Sequence, residues 1–342
     1  MKPHLPPAPD IERDPFHELG VRAFRWRVRV LGARFEFSSN SRELLDLARE
    51  AFAGLPQHRW PGNAGRMLHV SLKHVRALAP SSGVMPPRPL LSSGAGLLCG
   101  HIDARNFVIV DPAAARALVQ VDDSLRRNRR LLRHELVEFA AITLATREQN
   151  LVSLHAGCVG AHGKGLLLLG SSGSGKSTLA LHAALGGLDF LAEDSVFVQS
   201  ATLRASGLSA YVHARVEALP LIGDRRARLT AGRAPLIQRR SGVRKREIDL
   251  REARVRLASR PLRIVATVVL SARRARGALR LEPLTVAELK RILRKEQPFA
   301  VDRPGWREFE RRVLRAGGFR LERGACADAV ANLRRLLQAD RA

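Results

Sequence analysis

The strongest constraint in this chain is the run Gly170-Ser171-Ser172-Gly173-Ser174-Gly175-Lys176-Ser177, which has the spacing G-x-x-x-x-G-K-[ST]. It follows Leu166-Leu167-Leu168-Leu169, a short apolar run suited to a buried parallel strand. It precedes Thr178 to Leu185, where apolar residues recur at helical spacing. A loop so placed opens a helix. Small residues let successive backbone N–H groups turn inward on an anion, and the helix N-terminus adds roughly half a positive charge. Gly170 to Thr178 are therefore the candidate phosphate cradle, with Lys176 reaching the β- and γ-phosphates of ATP and the Ser177 hydroxyl ligating Mg²⁺.

The length of 342 residues allows two domains with a buried core. No run reaches the ~20 uncharged apolar residues of a membrane span, and the Pro-rich start Met1 to Asp10 has no apolar core of a secretory signal. The expected location is cytoplasmic. Cys99, Cys158 and Cys326 stand far apart, outside any metal-ligand spacing, and are expected as buried thiols. A net charge of +26 invites a nucleic-acid reading. Against it, only seven of the 58 basic residues are lysine, the arginines are scattered, and aromatic content is 5%, too low for a stacking platform. The favoured reading is a solvated basic surface that attracts acidic partners.

Phe24 to Phe37 alternates apolar residues with arginine and breaks at Gly32, as a hairpin with one wet face does. Asn40 and Glu43 have capping-box spacing ahead of a helical stripe of Leu44, Leu47, Ala48 and Ala51. Pro80 to Gly96 reads as a loop, and Gly100 to Ile102 and Phe107 to Val110 read as strands. Residues 1–125 are thus expected to form a small α+β domain, 126–150 (through Leu131 to Thr146) a connecting helix, and 151–342 the domain of the glycine-rich loop. In that last part Asp189 to Val198 is a second apolar run centred on Glu193-Asp194, and Leu262 to Leu270 is fit for a central strand. Thr285 to Glu288 caps a helix, and Trp306 to Leu314 and Cys326 to Leu337 are amphipathic helices.

Glu193-Asp194 falls on the strand right after the loop's helix, whereas most P-loop NTPases carry the Mg²⁺-holding acid on a more distant strand. With Leu154 to Val159, Gly163 to Leu169 and Gly187 to Val196, this spacing resembles the HPr kinase/phosphorylase family and HPr-kinase-like serine kinases. These are in turn similar to ATP-dependent phosphoenolpyruvate carboxykinases. The resemblance covers about 45 residues clearly and extends weakly to about residue 338.

The resemblance implies an α/β fold, with a P-loop kinase domain of HPr-kinase/phosphoenolpyruvate-carboxykinase type behind the small N-terminal domain. It implies ATP- and Mg²⁺-dependent phosphoryl transfer to a serine hydroxyl of a partner protein or peptide, for which the arginine-rich surface suits an acidic acceptor. Glu193 matches the family's base, normally Asp, and Asp194 matches the acid of the Mg²⁺ site; the longer Glu193 arm leaves base and metal roles open to exchange. His155 matches a family histidine ahead of the loop strand. Gln238 to Glu247 is a basic loop that either folds over the nucleotide through Arg244 or Lys245, or is a solvated charge run. The Glu-x-Arg-Gly signature linked to the family's reverse reaction is missing, so phosphorolysis is not expected. Residues 1–125 show no likeness to the N-terminal domain of the bifunctional enzymes, so neither HPr as substrate nor hexameric assembly is assumed, and oligomerisation stays open. The alternatives are an ATP-binding regulator or scaffold without transfer, and a small-molecule kinase.

Overall fold

The computed structural model describes residues 23–60, 65–76, 86–126, 128–208, 211–222, 225–240, 242–253, 255–275 and 279–339. The start of the chain and the first part of the expected 80–96 loop lie outside them. The fold is mixed α/β, built on a seven-stranded sheet, a nine-stranded sheet and a small three-stranded sheet.

The seven-stranded sheet runs, edge to edge, Phe24–Val30, Ala33–Ser39, Met67–Val75, Arg116–Asp122, Phe107–Asp111, Leu97–His101 and Leu90–Gly94. The expected hairpin is present, turning at Leu31 and Gly32 with positive φ. The apolar stripe of helix Arg42–Phe52 is buried as read, but its cap lies one residue later. Ser41 Oγ accepts from the Leu44 N–H, while the Asn40 amide pairs with the backbone N–H and carbonyl of His74, clamping a neighbouring strand. The other two expected strands are Leu97–His101 and Phe107–Asp111. Leu90–Gly94, read as loop, is a strand, because a two-residue turn at Ala95-Gly96 folds it back onto Leu97–His101.

The expected connector is helical but not uniform. Residues Leu132–Val137 form a π-helical turn, in which the Glu138 N–H reaches back to the Arg133 carbonyl, before α-helix Glu138–Glu148. That helix packs on strands Phe107–Asp111 and Arg116–Asp122, so Leu136, Ala140 and Leu144 belong to the first core. π-bulges re-aim side chains and recur at functional sites.

The nine-stranded sheet has helices on both faces. Strand Lys164–Leu169 pairs parallel with the long central strand Leu262–Arg274, which pairs parallel with Gly318–Arg323. The pleat sorts the leucines before the loop. Leu166 and Leu168 pack with helices Lys176–Leu185 and Cys326–Gln338, while Leu167 and Leu169 pack with Val286–Glu296 and Trp306–Ala316. Burying all four contributes about 1.5–3 kcal/mol each. The capping box at Thr285 is complete, the Glu288 N–H donating to Thr285 Oγ1 and the Thr285 N–H to the Glu288 carboxylate. Cys158 is buried as expected, but Cys99 and Cys326 are half-buried, and all three are free thiols. No helix among the described residues is long and apolar enough to cross a membrane.

The run 189–198 divides into two strands, Asp189–Ala192 and Val196–Gln199, and the turn between them carries the acidic pair. Asp189–Ala192 pairs antiparallel with Gly157–Ala161, itself antiparallel to the loop strand. The loop and the acids therefore leave the same edge of the sheet, two strand spacings or about 10 Å apart. The intervening hairpin sets this spacing, and its Gly160 has no room for a side chain: a Cβ there would lie 2.0 Å from the Lys164 carbonyl oxygen. Gly160→Ala is expected to cost about 2–3 kcal/mol, because backbone must move to admit the methyl group. Urea unfolding of the variant measures it.

Candidate functional site

Strand Lys164–Leu169 ends at Gly170, and the chain turns through positive φ at Gly170, Gly173 and Gly175 before helix Lys176–Leu185 begins. Gly170 needs its conformation, since a Cβ would sit 2.7 Å from Ser174 Oγ and 2.9 Å from the Leu270 carbonyl. Ser174 is buried and its hydroxyl has no hydrogen-bond partner. A buried, unpaired hydroxyl inside a turn of small residues fits a polyanion gripped by the loop. Lys176 is 7% exposed, and its ammonium donates to the Gly170 and Ser171 carbonyls. Burial draws its pKa below the ordinary 10.5, against the opposing pull of Glu296 and Asp194.

The loop opens into a cavity of about 780 Å³ at the carboxyl ends of the parallel strands, where open α/β sheets bind ligands. Ser172 to Thr178 form one wall, with Asp194 and His155 beside it. Gly170 and Ser171 do not line it; their carbonyls hold the Lys176 ammonium. His155 is exposed just past strand Leu151–Leu154. Its N–H and carbonyl are held by the side-chain amide of buried Gln297, and its Nδ1 stands 3.2 Å from the Asp194 carbonyl oxygen.

The two acids part company. Asp194 is half-buried on the cavity wall and accepts from the Ser195 hydroxyl at 3.0 Å. Burial alone would raise its pKa, but the His213 charge, the Ser195 hydrogen bond and Arg239 outweigh it and hold the carboxyl below its ordinary value. Glu193 is 2% exposed and does not line the cavity. One of its oxygens accepts from the His213 N–H at 2.7 Å, the other from His213 Nδ1 at 2.8 Å. The bend at 193–194 carries the two side chains apart, Asp194 to the cavity wall and Glu193 to His213, so one acid of the pair faces the cavity.

His213 carries the argument further. Its Nε2 lies 3.0 Å from Glu247, whose carboxylate also accepts from Arg133 of the π-helical turn at 3.0 Å and from Arg130 just before that turn at 3.1 Å. Arg133 reaches Glu50 of helix Arg42–Phe52 at 3.1 Å and stacks 4.3 Å above the Tyr211 ring. This relay bolts the first sheet's helices to the site. Burial works against the imidazolium, but its hydrogen bonds to the Glu193 and Glu247 carboxylates raise the His213 pKa above the ordinary 6.5. Burial likewise opposes the Glu247 carboxylate, yet His213 and Arg133 bring it down to about 2.

The stretch Gln238 to Glu247 is half hairpin and not a free loop. Strand Arg244–Asp249 pairs with Tyr211–Arg215 on one side and Leu236–Gln238 on the other. The pleat sends Lys245 into the cavity and leaves Arg244 outside it. Arg239 and Arg215 line the cavity too, and Arg215 Nη2 would stand 3.8 Å from a Cβ at Gly173, at the tip of the loop. Sequence reasoning missed His213, Glu247, Arg130, Arg133, Arg215 and Arg239. One histidine in a five-residue strand and acids within basic runs carry no spacing signal.

Magnesium and ATP are implied by the loop's resemblance, and the donors suit them. Ser177 and Asp194 offer hard oxygens, and Mg²⁺ shared with phosphates takes only one or two protein ligands. Among the described residues no group of three His, Cys, Asp or Glu side chains gathers as a metal cluster of the protein's own. Compared with known proteins, the chain matches no family model and no curated sequence.

Removing His213 leaves two buried carboxylates facing each other. His213→Ala is expected to lower stability by about 3–5 kcal/mol near neutrality. Because its folded-state pKa is raised, His213's contribution is complete below pH 6.5 and is lost as pH climbs through the folded value. That of Glu247, depressed to about 2, is present above its ordinary 4.5 and is lost as pH falls from there toward 2. Denaturant unfolding of wild type and variant from pH 3 to 9 is expected to show their difference greatest between ~5 and ~6.5.

Proposed function

We propose that the chain is an ATP-dependent phosphotransferase of the HPr-kinase-like type, passing the γ-phosphoryl group to a serine hydroxyl of a protein or peptide. The observation that carries this reading is the shared sheet edge: the glycine-rich loop with Lys176 and the ionised Asp194 face one cavity at the carboxyl ends of parallel strands. In this reading the backbone N–H groups of 172–178 cradle the phosphates. Lys176 exchanges the carbonyls of Gly170 and Ser171 for phosphate oxygens, neutralising charge that develops on the transferred group. Ser177 and Asp194 would hold Mg²⁺, which would supply charge neutralisation at the phosphates. Asp194 is the carboxylate within reach of an acceptor, held ionised to orient the hydroxyl and take its proton. Glu193 then acts through His213, keeping the imidazolium whose charge holds Asp194 ionised.

A second reading, a nucleotide-responsive regulator without transfer, is favoured by one observation: the acid matching the family's base is closed off by His213. The two readings part on Asp194. Lys176→Ala and Asp194→Asn are each expected to reduce transfer from γ-labelled ATP by about three orders of magnitude or more. The double variant should be scarcely worse, because both groups act on one transition state. Calorimetry of nucleotide binding is expected to show loss in Lys176→Ala and retention in Asp194→Asn. Nucleotide binding with no label on any protein, peptide or small alcohol would leave the regulator as the better account.

A further inference from the structure

The first sheet ends in two unlike edges. Strand Phe24–Val30 carries Arg25, Arg27 and Arg29, and edge charge of this kind discourages pairing with another chain. The opposite strand, Leu90–Gly94, reads LLSSG, with no charge and no proline. All five residues are exposed, Leu90 at 66% and Leu91 at 68%, and among the described residues no strand pairs with its outer side. Such an edge is a template for an added strand.

The turn Ala95-Gly96, with φ of 49° and 79°, joins the pair Gly94 and Leu97, so Gly94, Ser92 and Leu90 direct their N–H and carbonyl groups at the neighbouring strand. Leu91 and Ser93 direct theirs outward.

This edge begins at the cavity. Arg88, two residues or about 7 Å of extended chain before Leu90, lines the cavity wall. The segment ahead of it is anchored there: Arg240 donates to the Pro86 and Pro87 carbonyls at 2.7 and 3.0 Å while forking onto Glu135 at 2.6 Å. The cavity carries more cations than carboxylates. Arg88, Arg215, Arg239 and Arg323 line it without a salt bridge among the described residues, alongside Lys176 and Lys245, against Glu135, Asp194, Glu217 and Glu322.

Resting on the kinase reading above, we infer that the acceptor is an extended acidic polypeptide that adds as a strand to Leu90–Gly94 and runs past Arg88, delivering its serine to Asp194. Backbone hydrogen bonds to Leu91 and Ser93 supply sequence-tolerant affinity, and carboxylates flanking the serine meet the arginines. A second copy of the chain fits worse, because each copy carries a net charge of +26.

The test measures binding without nucleotide, by fluorescence anisotropy on the full chain. The probe is a short labelled peptide alternating valine and glutamate around one serine. Expected is binding weakened at least about tenfold by N-methylation of alternate peptide amides, by lysine in place of glutamate, or by Ser93→Pro, which removes only an outward N–H. Equal binding of the N-methylated peptide to the wild-type chain overturns the proposal without any variant. So does a dimer seen in sedimentation that Ser93→Pro abolishes. Strand-dependent binding with no phosphate transfer upholds the docking edge and removes the kinase reading. Transfer to acceptors indifferent to N-methylation and to Ser93→Pro removes the docking edge and leaves the kinase reading standing.

Discussion

One imidazole held between two buried carboxylates ties this molecule together. His213 donates to Glu193 through one ring nitrogen and faces Glu247 through the other, and Glu247 in turn holds two arginines from the connector of the first sheet. A buried charge chain of this kind is not a free gain in stability, since each ion loses its hydration. Its consequence is positional. With every oxygen of Glu193 committed, Asp194 is left as the acid of the pair that faces the cavity, and the neighbouring positive charge keeps it ionised. The same chain fixes where the first sheet stands relative to the loop, so the walls of the cavity come from both halves of the protein.

The large positive charge takes on meaning from its distribution. Many arginines on the outer surfaces are paired, as Arg27 with Glu36 and Arg294 with Glu310. Among the described residues, four of the cavity's arginines, Arg88, Arg215, Arg239 and Arg323, form no salt bridge, which leaves positive potential at the place where a nucleotide and an acidic chain would meet. The π-helical turn directs Arg133 inward to Glu247, and His134 and Glu135 to the cavity wall. A positive potential gathered in one crevice is what the proposed nucleotide and acidic acceptor would require.

Local pattern made much of this legible. Four leucines followed by glycines, a lysine and a serine specify strand, turn and helix, because each step is a property of adjacent residues: apolar alternation, permitted positive φ, and helix spacing. The central strand, the Thr285 cap and the C-terminal helices were readable for the same reason. The strand Leu90–Gly94 was hidden, since five residues without alternation look like loop until a partner strand pairs with them. Asn40 carried a capping signature yet serves His74, a residue distant in the chain that offers both an N–H and a carbonyl.

The sequence by itself determined that a glycine-rich turn opens a helix, that two adjacent acids follow within the next apolar run, and that the chain is strongly basic. Only tertiary structure decided which acid faces the cavity, which cations surround it and which strand edge adjoins it. Those choices depend on contacts between residues as far apart as Glu50, Arg133, Glu193, His213 and Glu247, and interactions across such separations leave no period in the chain to be read.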